Sequence, residues 1–280
     1  MKSTIRTISA ARVAAWGVGM AAAIALICGN NVQAQLAGPF TQGNLVVDRV
    51  GNGAGALSSA ATPIFLDQFT PGGTLLSSQM LPTNGTTQFT DNGTSTTEGY
   101  VTLNPNGTNL VLAGYNVAVG SSTPSSATAA ADPRAVATVD FNGNFQIISN
   151  SYTAFSGANI RCAATDGGTN YWAAGSSGGI AYLGTAPTNI TSTTVANDRV
   201  IHVIGGNIYF STGSGASRGI YKITGTPITT GNTAASLINI ASLGGSFYCY
   251  DFAFNNAMTV AYIADNDNYT TSSGAGGIQK

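Results

Sequence analysis

From Gly99 onward, apolar residues recur at alternate positions in short runs, each broken by Gly, Asn or Asp. Four stretches share one order: an apolar strand, a Gly or Asn turn, an aromatic or aliphatic strand and, in three of them, a Gly-Ile strand. They are GYVTLNPNGTNLVLAGY (Gly99–Tyr115), NIRCAATDGGTNYWAAG with GGIAYL (Asn159–Leu183), RVIHVIGGNIYFSTG with RGIYKI (Arg199–Ile223), and YCYDFAFNNAMTVAYIAD with GGIQK (Tyr248–Lys280). Alternation at period two predicts strands, and a unit recurring along the chain predicts stacked or radially arranged supersecondary elements.

Further hairpins are expected beside these units. IFLDQFTPGGTLLSSQML (Ile64–Leu81) turns at Pro71-Gly72-Gly73, and RAVATVDFNGNFQIIS (Arg134–Ser149) turns at Asn142-Gly143, a strong hairpin signal between alternating strands. No stretch beyond Ala34 sustains a helical period; the nearest, Ala54–Ala61, is stopped by Pro63. Two hairpins in succession make a four-stranded antiparallel sheet. Several such sheets in series predict an all-β chain, a β-propeller of four-stranded blades. Marker residues lie 61 (Leu110 to Tyr171), 38 (Tyr171 to Tyr209) and 53 (Tyr209 to Tyr262) positions apart. Those intervals bracket the roughly 40–50 residues of known propeller repeats, with the excess in polar loops such as Ser121–Ala131. A β-sandwich is the structural alternative; it needs Greek-key crossings that this order does not call for.

The first 34 residues read as a targeting segment. Lys2, Arg6 and Arg12 precede the apolar run Val13–Cys28, and Val32-Gln33-Ala34 suits a signal peptidase. The expected organisation is a signal peptide over 1–34 and a repeat domain over 35–280, with about five blades wholly or partly present. The expected location is secreted or at the cell surface, with no transmembrane segment in the mature chain. The ten basic residues include Lys2, Arg6 and Arg12, so seven face the eleven acidic ones beyond Ala34, a formal charge of −4. That balance leaves no basic footprint for nucleic acid. Export permits a disulfide, yet Cys162 and Cys249 both open repeat units, and strands of non-adjacent units stand too far apart to bridge; two buried thiols are expected.

The segment GNLVVDRVGNGAGALSSAATPIFLDQFTPGGTLLSSQMLP (Gly43–Pro82), the Asn159–Leu183 unit and the terminal GGIQK resemble a group of uncharacterised secreted bacterial proteins with a propeller-like repeat. The resemblance covers most of the chain beyond Ala34. It implies export, a β-propeller and often a C-terminal sorting signal, and it implies no activity. Relatives continue where this chain stops: Lys280 ends a third strand, so an incomplete last blade, and a chain truncated at its C-terminus, are expected.

Catalytic patterns are sparse. Gly51-Asn52-Gly53-Ala54-Gly55-Ala56 imitates a dinucleotide fingerprint, but Asp67 follows too soon and no βαβ rhythm does. Gly175-Ser176-Ser177-Gly178-Gly179 fits a nucleophile elbow within a hairpin rather than at a strand-to-helix turn. His202 is the only histidine, which disfavours His-based catalysis and zinc. No cofactor is required, although Asp265 and Asp267 alternate as calcium ligands might.

What remains is recognition by polar groups entering the innermost strands. Glu98, Arg161, Arg199, Tyr250 and Asp251, with Trp172, are the candidate ligand-binding residues. The competing reading has Trp172 packed between blades and the arginines paired with Asp166 and Asp198. The expected function is a non-enzymatic binding or structural module for a protein or polysaccharide outside the cell. The alternative, a polysaccharide hydrolase or lyase, needs two acids within about 10 Å of each other.

Overall fold

The computed structural model describes residues 33–36, 38–184, 188–190, 195–213, 217–223, 229, 235–238, 247–266 and 276–280. All lie in Gln33–Lys280, one of two units into which the chain divides; the other, Met1–Val32, is outside the described residues, as is most of the expected signal peptide. The described chain is all-β apart from one 3-10 turn at Gly85–Thr87. Among the described residues no helix is long and apolar enough to cross a membrane.

The first half forms one nine-stranded sheet. Its strands are β1 (Gln33–Gln35), β2 (Leu45–Val50), β3 (Ala61–Phe69), β4 (Leu75–Met80), β5 (Thr90–Asn92), β6 (Thr102–Leu103), β7 (Asn109–Tyr115), β8 (Arg134–Asp140) and β9 (Asn144–Ser151). Two ribbons compose it. In one, β2 and β4 flank β3; in the other, β6, β7, β8, β9 and β1 pair in that order, and β5 joins the two by pairing with both β3 and β7. The expected turns close both hairpins: Thr70 donates its backbone N–H to Thr74 O at 2.9 Å, and Gly143 donates to Asp140 O at 3.0 Å. The Asp140 carboxylate tightens the second turn by accepting from the N–H groups of Asn142 and Asn144. On β1, Gln33, Ala34 and Gln35 pair with Gln146, Phe145 and Asn144, so this strand spans the expected cleavage point.

Three smaller antiparallel sheets follow, each paired in sequence order. They are β10 (Ile160–Thr165), β11 (Tyr171–Gly175), β12 (Ala181–Tyr182) and β13 (Thr188–Asn189); β14 (Asp198–Ile204), β15 (Asn207–Thr212), β16 (Gly219–Ile223) and β17 (Ser236–Leu237); and β18 (Cys249–Phe254), β19 (Ala261–Asp265) and β20 (Gly277–Gln279). The four repeat units of the sequence thus become β6–β7, β10–β12, β14–β16 and β18–β20. Among the described residues a full second hairpin follows the first unit, in β8–β9, and the fourth strands of the next two sheets are the two-residue β13 and β17.

Apolar side chains fill the space between successive sheets. Val111, Ala113 and Val136 meet Ile160, Ala163 and Ala173 in one cluster. Cys162, Ala164 and Trp172 meet Ile201, Ile208 and Phe210 in the next, and Tyr209 and Ile220 meet Cys249, Phe252 and Ile263 in a third. Every residue of β10 is buried, since both its faces are covered. The first strands run together: β10 contacts β7 and β14, and β14 contacts β18. Cys162 and Cys249 are unpaired and buried, and burial pushes both thiols well above their usual range. They pack as small apolar groups rather than as nucleophiles.

Candidate functional site

Each of the three first strands carries an irregularity at its start. On β10, Arg161 has no opposite number between the pairs Ile160–Gly175 and Cys162–Ala174. On β14, Arg199 and Val200 face a single residue between Asp198–Thr212 and Ile201–Phe210. On β18, Tyr250 has none between Cys249–Asp265 and Asp251–Ala264. A β-bulge re-aims the side chain at the extra residue and recurs beside functional sites. Here the bulges select Arg161, Arg199 and Tyr250, three of the residues nominated from sequence.

The two arginines are incompletely paired. Arg161 donates from Nη1 to Asn197 Oδ1 at 2.6 Å and to the backbone oxygen of Asp198 at 3.0 Å, while its Nε finds no acceptor. Asn197 holds this contact with φ at 63°, a left-handed conformation that asparagine tolerates. Arg199 is 8% exposed, and neither its Nε nor its Nη1 has a partner. Its guanidinium carbon lies 4.7 Å over the Tyr250 ring. A Cβ at Gly213 would approach Arg199 Nε to 3.2 Å, so the absence of a side chain there makes room for the cation. Burial, then the charge of Arg199, lowers Arg161 to about 10. Asp198 is fully buried with both carboxylate oxygens unpartnered, and burial raises its pKa well above the carboxylate range against the pull of both arginines. The expected salt bridges to Asp198 and Asp166 are not formed. Arg161 takes the Asp198 backbone instead, and Asp166 accepts from Gly168 and Asn170 within its own turn. Among the described residues the ion pairs are Arg49–Asp67 and His202–Asp251.

Beside the arginines the nominated Glu98 stands with two acids, Asp48 and Asp91, that the sequence did not single out. Gly99, with φ at 75°, passes close to two of them: a Cβ there would sit 3.4 Å from Asp91 Oδ2 and 3.7 Å from Asp48 Oδ1. Asp91 Oδ2 and Glu98 Oε2 are both buried without a hydrogen-bond partner. Burial first, then the nearby Glu98 carboxyl and the charge of Asp48, lift Asp91 well above its usual range; the Asn92 backbone opposes this. Burial, with Asp67 next, raises Asp48 to about 7. Asn159 donates from Nδ2 to Glu98 Oε1. The Tyr115 phenol, fully buried, is raised by burial and then by Glu98 and Asp91. Asp48, Asp91 and Glu98 come from β2, β5 and the segment before β6. No local spacing joins them; a glycine between a glutamate and a tyrosine at a strand start is the only sequence trace.

The remaining candidates separate. Trp172 is fully buried among Ile180, Ile201 and Phe210, 5.9 Å from the Tyr182 ring, which is the packing role rather than a ligand contact. Asp251 is exposed and pairs with His202 Nε2 at 3.3 Å, and the His202 ring meets Phe252 edge-on at 5.0 Å. Asp265 turns inward, its carboxylate accepting from the N–H groups of Tyr248 and Gly276, while Asp267 lies outside the described residues. Among the described residues no three His, Cys, Asp or Glu side chains are arranged to hold a metal ion. Gly51–Ala56 is irregular chain ahead of β3, with no helix behind it. Ser176 is bound to Asn159. A cavity of about 610 Å³ opens elsewhere, between Phe40, Asn44, Val46, Leu103, Leu110 and Phe141. Its one acid, Asp140, is consumed by the β8–β9 turn. No protein-family model matches the chain, and no curated protein matches it.

Proposed function

We propose that this chain is an exported β-propeller, secreted or held at the cell surface, that binds an extracellular polymer through the starts of its first strands. One observation carries the reading: the same β-bulge opens β10, β14 and β18 and aims Arg161, Arg199 and Tyr250 into a shared polar strip. Three sheets in sequence order, joined through adjacent first strands, support the propeller over the sandwich, which the layered cores would also accommodate. A rigid scaffold of buried strands supporting a few polar groups at its strand ends is how such modules commonly hold ligands.

The test is retention of the purified protein in gels containing soluble polysaccharides, wild type beside Tyr250→Ala. Retention on at least one polymer, reduced in the variant, supports a binding module; retention identical in both argues against this surface. Export is tested by sequencing the N-terminus of the protein recovered outside the cell, which is expected at Gln35.

A second reading has its own observation. Asp48 and Asp91 both lie within 4 Å of a Cβ built at Gly99, next to Glu98, and two acids within about 10 Å are the minimum for glycoside hydrolysis. Under this reading a polysaccharide is shortened, and Glu98→Gln abolishes the cleavage while leaving retention intact.

A further inference from the structure

The proposed binding strip leaves the chemical class of its ligand open, and the arginine end narrows it. Arg161 and Arg199 sit on adjoining strands, each at least nine-tenths buried, with three N–H positions that find no acceptor among the described residues: Arg161 Nε, Arg199 Nε and Arg199 Nη1. A buried guanidinium without acceptors is costly, and it is retained most readily where a ligand supplies them. Tyr100 and Tyr250 are half-buried and line the same place. The Tyr100 phenol lies in the field of Arg199, Tyr250 and Arg161, and its backbone N–H donates to Arg161 O at 3.3 Å. The groups that face Arg161 are Arg199, Tyr100, Glu98 and Asp198. Glu98 accepts from Asn159, Asp198 has neither oxygen on a donor, and among the described residues neither acid forms an ion pair with Arg161 or Arg199, so the guanidinium forks stay open.

We infer that Arg161 and Arg199 form a seat for the carboxylate of an acidic sugar, with the Tyr100 and Tyr250 rings beside it. This deepens the polymer-binding reading and rests on it: the polymer recognised is a uronate-bearing glycan. A planar carboxylate accepts two parallel N–H bonds from a guanidinium, which a neutral hydroxyl cannot match. Gly213 belongs to the seat, because a methyl group there would press on Arg199 Nε.

The experiment is a titration of the ¹⁵N-labelled protein with glucuronate and, separately, with glucose, followed through the Nε–H signals of arginine. Glucuronate is expected to shift the Arg161 and Arg199 signals with an affinity in the millimolar range, glucose to leave them in place, and Arg199→Gln to weaken glucuronate at least about tenfold. If Arg199→Gln does not fold, Gly213→Ala keeps the charge and is expected to weaken glucuronate by about threefold. Shifts of equal size with glucose and glucuronate would overturn the seat, as would signals of Arg161 and Arg199 that stay fixed while glucuronate binds elsewhere. A protein retained on neutral polysaccharide yet silent to glucuronate at these two signals would sink the carboxylate seat and leave the binding module standing. Loss of all polysaccharide retention would sink both.

Discussion

The acid end and the arginine end of the polar strip meet burial in opposite ways. Burial drives Asp48, Asp91 and Asp198 upward, toward the protonated, uncharged form. A guanidinium has no such escape at physiological pH. Arg161, although lowered by burial, stays near 10 and remains a cation. Neutral acids can therefore wait inside the fold without a partner, whereas buried arginines are left needing anions. A third arginine marks the contrast. Arg134 is fully buried yet satisfied, donating to the backbone oxygens of Ala158, Asp132 and Ser125 and lying 5.3 Å from the Tyr115 ring. It is a structural cation; among the described residues Arg161 and Arg199 are not fully partnered.

The largest effect expected from breaking this contrast is at the satisfied arginine. Arg134→Met should cost about 3 kcal/mol in a urea unfolding experiment, because it strands buried carbonyls. A loss below about 1 kcal/mol would mean those hydrogen bonds contribute little. Next comes the acid end. Asp48 has a folded pKa of about 7 against an ordinary 3.8, so the folded state holds this proton more tightly than the unfolded chain. Its stabilising contribution is complete below pH 3.8 and is lost as pH rises through about 7. Asp48→Asn should thus melt higher than wild type above neutral pH, by about 1–2 kcal/mol after allowing for the half-exposed position, and the gap should close toward pH 4. A gap independent of pH would place the Asp48 charge in solvent. Arg199→Met, in the absence of ligand, should change stability by no more than about 1 kcal/mol and in the stabilising direction, since it removes an unpaired buried charge. A loss comparable to that of Arg134→Met would make Arg199 structural. The smallest effect belongs to the exposed pair: Asp251→Asn should shift stability by less than about 0.5 kcal/mol, read as a thermal midpoint at low and high salt.

Much of the fold was legible because it is local. The Asn142-Gly143 turn, the Pro71-Gly72-Gly73 turn and the alternation in RVIHVIGGNIYF specify pairing within a few residues, and the strands form where those signals lie. The matching places of Arg161 and Arg199 in neighbouring units were legible in the sequence. Their lack of carboxylate partners was not, since it depends on which atom of Asp198 faces Arg161. Glu98 was nominated from sequence, but its grouping with other acids was hidden. Asp48 and Asp91 reach Gly99, next to Glu98, through the pairing of β2 with β3 and of β5 with both β3 and β7, long-range contacts that no periodicity announces. Trp172 drew notice as the one tryptophan beyond Ala34, and its burial fits a core position.

The central claim, that the acid end survives burial by staying protonated while the arginines stay charged, is tested most directly by infrared spectroscopy at neutral pH. The difference spectrum between wild type and Asp91→Asn should contain the carbonyl stretch of a protonated carboxylic acid. A difference spectrum containing only carboxylate bands would mean that Asp91 is ionised, and the account would be wrong.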